Sequence, residues 1–307
     1  MSLLATFKGK GPSGFGYGST AEDVTRGLDL SGRTILLTGC NSGIGKETLR
    51  VLVKRGAHVI AAARTMEKAQ AACDEVGGET TAMACELSEP TSVQACAAQV
   101  VALDRSLDAI ICNAGIMALP TLNQKHGYEL QFFTNHIGHF ILVTSLLDSL
   151  SDRGRVVIVS SDAHRRAPRE GIQFDNLSGE RQYSPLANYG QSKLANVLFA
   201  NRLATRLEGT GRTANSLHPG VIDTNLWRSM QPIARGAIAI AGPLVLKSIG
   251  EGAATQCYLA VHPSVEGVAG KYFSDSNVGR SSRHGRDEEM AVKLWDVSEQ
   301  IVAEVTA

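Results

Sequence analysis

The feature that most constrains this chain is an aliphatic run that breaks at once into glycines. Ile35-Leu36-Leu37 leads into Thr38-Gly39-Cys40-Asn41-Ser42-Gly43-Ile44-Gly45, and Lys46 to Leu52 then continues with a helical pattern. A strand that ends in a glycine turn and restarts as a helix aims the helix's first backbone N–H groups at whatever anion sits there. Asn41 and Ser42 add polar side chains at the same point. Such a turn alone is as often a plain strand-to-helix connection, so its surroundings decide its meaning.

The surroundings repeat the alternation. Short aliphatic or β-branched runs at 33–38, 58–63, 80–85, 107–112, 155–160, 212–218 and 270–273 are separated by helical patterns at 43–55, 66–76, 89–103, 128–150, 186–209 and 250–262. Nearly continuous apolar strands belong to sheets covered on both faces, and strand–helix alternation belongs to parallel ones. The expected fold is α/β: a Rossmann-type doubly wound parallel seven-stranded sheet with helices on both faces. In such folds ligands lie at the carboxyl ends of the strands, where the strand order reverses. The loop 162–185 and the segment 224–249 follow strands on that side and are the expected walls of a substrate pocket. The 307 residues divide into an N-terminal arm, 1–30, whose first 20 residues read as flexible or loosely packed, and one dinucleotide-binding catalytic domain, 31–307, with a lid at about 224–249.

Composition excludes several classes. With 30 basic and 30 acidic side chains the chain has no net charge, which argues against nucleic-acid binding by phosphate neutralisation. The cysteines, Cys40, Cys73, Cys85, Cys96, Cys112 and Cys257, show no C-x-x-C spacing. Scattered thiols suit a reducing compartment, so a cytoplasmic location and no metal site are expected. The N-terminus lacks the charged-then-apolar pattern of a signal. The apolar stretch Ile233 to Ile249 is interrupted by Arg235, Pro243 and Lys247, short of the about 20 apolar residues that a bilayer requires. No integral membrane segment is expected, and peripheral contact through that stretch stays open.

The end of the second strand bears on cofactor choice. A carboxylate there binds the ribose 2′-hydroxyl of NAD, but this chain reads Ala61-Ala62-Ala63-Arg64, with no acid before Glu67. Arg64 suits a 2′-phosphate through charge-assisted hydrogen bonds, so NADP(H) is the expected cofactor. Glu86-Leu87 after the third strand is placed to flank the adenine, and Asn113-Ala114-Gly115 after the fourth lets backbone approach a ribose. Either is equally readable as a simple loop start.

A second constellation concerns protons. Tyr189 and Lys193 stand one helical turn apart, Ser160-Ser161 closes the strand Val156-Val157-Ile158-Val159, and Asn135 lies on the helix after the fourth strand. A free phenol has a pKa of about 10, and lowering it to about 8 takes roughly 2.7 kcal/mol of preferential phenolate stabilisation. The ammonium of Lys193 and an oxidised nicotinamide are the expected sources. In reduction Tyr189 protonates the carbonyl oxygen, Ser161 hydrogen-bonds it, Lys193 binds the nicotinamide ribose and Asn135 holds a water that refills the chain.

These residues, in this order, resemble the short-chain dehydrogenase/reductase superfamily. The resemblance tightens at Asn135-His136-Ile137-Gly138-His139-Phe140, at Ser192-Lys193-Leu194-Ala195-Asn196-Val197-Leu198-Phe199, and at Gly270-Lys271-Tyr272-Phe273-Ser274, where it is to the retinol dehydrogenase branch. It implies a catalytic tetrad of Asn135, Ser161, Tyr189 and Lys193. It also implies that Pro219, Gly220, Ile222 and Thr224, after His218, hold the nicotinamide carboxamide and nearby phosphate, and by analogy that the helices at 128–150 and 186–209 pair two subunits. The chain departs from the family pattern at Glu86, where Asp is usual, and at Cys112, where Asn is usual.

The dinucleotide-binding set is therefore Gly39, Asn41, Ser42, Gly43, Ile44, Gly45, Arg64, Glu86, Leu87, Asn113, Ala114, Gly115, Tyr189, Lys193, Pro219, Gly220, Ile222 and Thr224. His136 and His139 read as packing residues rather than metal ligands, His164 as a loop residue near the pocket, and Arg280 to Glu289 as a solvated loop. Leu226, Trp227, Met230, Ile233, Ile238, Ile240 and Leu244 give the lid an apolar character, equally suited to core packing. The reading is an NADP(H)-dependent oxidoreductase that interconverts an aldehyde or ketone and an alcohol on a small apolar molecule. An NADP(H)-sensing regulatory or binding protein of the same fold is the alternative, and the complete tetrad counts against it.

Overall fold

The computed structural model describes residues 8–222 and 246–306. The first helix, α1 (Ala21–Val24), is opened by a capping box in which Thr20 and Asp23 satisfy each other's backbone N–H. It is followed by β1 (Thr34–Thr38), α2 (Gly43–Lys54), β2 (His58–Ala63), α3 (Met66–Val76), β3 (Thr80–Ala84), α4 (Pro90–Ala102) and β4 (Leu107–Cys112). A small hairpin, β5 (Gln124–Lys125) and β6 (Tyr128–Glu129), leads into α5 (Leu130–Phe132), a π-helical turn (Phe133–Ile137) and α6 (Gly138–Ser145). Then come β7 (Leu150–Val159), α7 (Pro185–Arg206), β8 (Thr213–His218), α8 (Ile249–Val261), β9 (Tyr272–Ser274), β10 (Asn277–Gly279) and α9 (Glu288–Thr306).

The strands form one sheet in the order β10-β9-β8-β7-β4-β1-β2-β3. From β3 to β9 every pairing is parallel. The chain winds outward from β1 through β2 to β3, then returns to β4 and winds the other way, so the order reverses between β1 and β4. Alternate strand residues serve opposite layers. Leu36, Ile60, Ile110, Val156 and Ile158 pack with α4, α6, α7 and α9, whereas Ile35, Leu37, Val59, Ala61, Ile111 and Val157 pack with α1, α2 and α8. Both faces are apolar, which is why the strands read as unbroken hydrophobic runs.

The seven expected strands are present, and an eighth, β10, turns back antiparallel on β9 through Asp275 and Ser276, both at positive φ. Three expectations need correction. Of the first 20 residues, expected loosely packed, 13–20 are docked on the domain: Tyr17 and Ser19 are buried, and Asn277 bonds Ser13 and Phe15. The helix expected at 128–150 ends at Ser145, because residues 150–154 are already part of β7, and it is broken by the π turn. The charged end of the loop 280–289 starts a helix, α9, whose Ala291, Leu294, Trp295, Ser298 and Ile301 are buried at helical spacing. Trp295 packs edge-on against Phe140 on α6, and His136 bonds Ser298. Gln191 to Ala200 on α7 are all buried as well. Among the described residues, no helix is long and apolar enough to cross a membrane.

Candidate active site

A cavity of about 860 Å³ opens at the carboxyl ends of β1, β4, β7 and β8, at the reversal point. Its floor is the glycine turn. Gly39 has φ +70°, and a Cβ on Gly45 would lie 2.1 Å from the Gly39 carbonyl oxygen, so neither position accepts a side chain. Ser42 precedes α2 without a side-chain capping bond, which leaves the helix's first N–H groups for an anion. Across the reversal point the Asn113 side chain donates to the Thr38 carbonyl (2.8 Å), while its Oδ1 is buried without a partner. An uncapped helix start, a turn that excludes Cβ atoms and an orphaned acceptor fit a dinucleotide. Asn41, Ser42, Gly43, Ile44, Ala114, Gly115, Leu87, Pro219, Gly220 and Ile222 line the same cavity, as expected from the sequence. Thr224 and the apolar lid residues lie outside the described residues.

At the far end Arg64 lines the wall with its side chain 65% exposed and its Nε 3.7 Å from a Glu86 carboxylate oxygen. An exposed pair at that distance holds Arg64 weakly, by at most about 1 kcal/mol. Glu86 also accepts from the Ser88 backbone and hydroxyl, so its carboxylate is turned toward its own loop. Lys68 lines the cavity beside Arg64 and is absent from the set read from sequence. Its position one helical turn after Arg64 was the available signal.

Ser161, Tyr189 and Lys193 stand together on the opposite wall. Ser160 and Ser161 separate cleanly: the Ser160 hydroxyl is buried and donates to the Lys193 carbonyl (2.7 Å), whereas the Ser161 hydroxyl meets the Tyr189 phenol. Burial pushes the Tyr189 phenol up to about 12, and the Ser161 hydrogen bond partly opposes this. Burial likewise brings the Lys193 ammonium down to about 8. Lys193 Nζ lies 5.8 Å from the Tyr189 ring centre and donates to the Val159 carbonyl (3.0 Å). Burial is thus the main influence on the phenol, and the acidification expected from Lys193 together with an oxidised nicotinamide belongs to the loaded site.

Asn135 lies in the π turn, fully buried and one layer behind the cavity wall. Its amide donates to the Ile116 carbonyl (2.9 Å) and the Ser192 hydroxyl (2.9 Å), and its Oδ1 accepts from the Ile116 N–H (2.8 Å). Both amide hydrogens are engaged, so the Asn135 side chain braces the loop after β4 and has no further hydrogen to donate. His164 is also no bland loop residue. It is buried, with Nδ1 2.6 Å from the Ser161 carbonyl oxygen and Nε2 accepting from the Ser282 N–H (2.9 Å). His218, at the end of β8, accepts from the Asp162 N–H (3.1 Å), and burial brings it down to about 4. No group of three His, Cys, Asp or Glu among the described residues is arranged for a metal, and the cysteines there are free and buried.

The fold and the cavity define an oxidoreductase that works with a bound dinucleotide. The short chain dehydrogenase family model matches residues 33–233. Short-chain dehydrogenase TIC 32 B, chloroplastic, of Brassica napus is 42% identical, covering 98% of this chain and 99% of its own length. Retinol dehydrogenase 14 of Homo sapiens is 36% identical over 93% of this chain and 91% of its own. The crystal structure of an uncharacterized protein from Mycobacterium Paratuberculosis superposes with a TM-score of 0.75 at 34% identity, covering 93% and 98% of the two chains. The chain belongs to the short-chain dehydrogenase/reductase family, as a retinol dehydrogenase-like member. Members use NAD(P)(H) and act on small molecules.

Proposed function

We propose that this protein is an NADP(H)-dependent oxidoreductase that interconverts an aldehyde or ketone and an alcohol on a small apolar molecule. The observation that carries the reading is the Tyr189 phenol beside Ser161 at the wall of the dinucleotide cavity, with Lys193 alongside. The bound nicotinamide supplies the hydride in reduction and takes it in oxidation. Tyr189 gives its proton to the substrate oxygen as charge gathers there, and Ser161 donates a hydrogen bond to that oxygen. A phenol held near 12 is neutral at pH 7, so it carries the proton that reduction requires. Lys193, near 8, is mostly charged at pH 7 and offers its ammonium to the nicotinamide ribose hydroxyls. Asn135 keeps the loop after β4 in place. Pro219, Gly220 and Ile222, with Thr224, are the groups proposed for the carboxamide end.

The preference for NADP(H) rests on Arg64 and Lys68 at the end of β2 with no carboxylate among Ala61 to Arg64. A 2′-phosphate recovers more from two cations than the loose Glu86 contact is worth.

Turnover of NADPH against a panel of apolar aldehydes and ketones is the direct test. Tyr189→Phe is expected to lower kcat about 10²- to 10⁴-fold, with NADPH affinity kept. Undiminished turnover in that variant overturns the mechanism. Arg64→Ala is expected to weaken NADPH about tenfold and leave NADH unchanged, a loss of about one charge-assisted hydrogen bond.

A further inference from the structure

The family reading leaves a buried imidazole unexplained. His139, near the start of α6, is fully buried. Its Nε2 lies 2.9 Å from the Thr38 hydroxyl, at the end of β1, and its Nδ1 lies 3.0 Å from the Asn135 backbone carbonyl. The Thr38 hydroxyl also accepts from the Asn113 and Ala114 N–H groups, both at 3.0 Å. Thus the loop over the dinucleotide is held at its start by Thr38 and at Ile116 by the Asn135 side chain. Among the described residues, His139 is the side chain that bonds both Thr38 and Asn135.

Donors and acceptors assign the protons. The Asn135 carbonyl only accepts, so Nδ1 of His139 carries a hydrogen. Burial brings the imidazole down to about 4, so it is neutral at pH 7 and Nε2 is an acceptor. The Thr38 hydrogen must then point to Nε2 rather than to the Ile111 carbonyl at 3.4 Å, which leaves the Thr38 oxygen free to accept two N–H groups. Every group in the chain has its partner in one arrangement only.

We propose that His139, as its neutral Nδ1–H form, is a positioning residue that couples the strand end at Thr38 to Asn135 and so sets the place of the loop 113–116 over the dinucleotide. This rests on the dinucleotide reading of the cavity but not on the carbonyl substrate. The sister residue three positions earlier shows that the arrangement is specific. His136 donates from Nε2 to Ser298, whose own hydrogen goes to the Leu294 carbonyl, and its Nδ1 has no partner. His136 therefore takes the opposite form and faces the core.

The decisive measurement is nitrogen-15 NMR of imidazole-labelled protein at pH 7. Two neutral forms are expected, Nδ1–H at His139 and Nε2–H at His136, assigned with the single variants His139→Phe and His136→Phe. An Nε2–H form or a charged ring at His139 overturns the proposal in the native protein, whatever the variants do. NADPH titration by fluorescence, without substrate, then tests the consequence. His139→Phe is expected to weaken binding about tenfold, the worth of one to two lost hydrogen bonds. Thr38→Ser, which keeps the hydroxyl, is expected to stay within about twofold, and Thr38→Val to match His139→Phe. A folded His139→Phe protein that binds NADPH like the parent also overturns it. If that variant does not fold, the ring form in the native protein and the Thr38 pair decide. Failure of the carbonyl panel with these results intact would count against the substrate reading alone.

Discussion

The two ends of the cavity are built from different material. At the dinucleotide end the recognising groups are backbone: the N–H groups that open α2, reached through Gly39 and Gly45, where a Cβ has no room. At the proton-relay end the working groups are side chains, Ser161 just after β7 and Tyr189 and Lys193 on α7, with Asn135 of the π turn bracing the loop behind them. The contrast teaches where each end is vulnerable. A backbone site fails through shape, whereas a side-chain site fails through chemistry while the shape survives.

On the side-chain side, replacing Ser161 is the largest break after Tyr189→Phe. Ser161→Ala is expected to lower kcat about 10²- to 10³-fold while NADPH binding is kept, measured by steady-state kinetics and fluorescence titration. Ser160→Ala sharpens the point, because its hydroxyl serves only the Lys193 carbonyl. That change is expected to cost about 1 kcal/mol in a urea unfolding curve and to leave kcat near the parent value. Equal kinetic losses for the two serines would contradict the assignment of Ser161.

On the backbone side, Gly45→Ala places a methyl 2.1 Å from a backbone oxygen that cannot give way. It is expected to weaken NADPH at least about tenfold by shifting the turn, with kcat at saturation less affected than in Ser161→Ala. A loss confined to kcat would mean that the turn does not meet the phosphates.

A separate effect, on stability rather than on turnover, comes from the histidines that burial keeps neutral. Burial holds His136 near 3 and His139 and His218 near 4, against 6.5 for a free imidazole. Between about pH 6.5 and 4 the unfolded chain therefore binds protons that the native state refuses. Stability is full above 6.5 and falls as pH drops through that window, by up to roughly 1.4 kcal/mol per pH unit for each histidine. Urea midpoints at pH 7, 6 and 5 check the sign; a flat profile would mean that these rings are hydrated in solution.

Much of the scaffold was legible because buried parallel strands are apolar on both faces. Runs such as Thr34–Thr38 and His58–Ala63 could be placed within a residue or two. The glycine turn was legible for the same kind of reason, since a backbone that must approach a ligand closely admits one residue type. What was missed lay elsewhere. The helix Glu288–Thr306 was hidden by the charge before it, although its 3-and-4 spacing was readable. The π turn has no local signature, because Phe133 to Ile137 fit an ordinary helix equally well.

The sequence by itself determined the alternation of strands and helices and the glycine turn, because each depends on residues within a few positions of one another. Only the tertiary structure decided where the Ser160 hydroxyl goes and how strongly burial acts on the phenol and the lysine. It alone also showed that Asn135 is braced and that two histidines three residues apart carry opposite hydrogens. These depend on burial and on partners as distant as Thr38 and His139, and dielectric and hydrogen-bond direction exist only once the chain has closed around them.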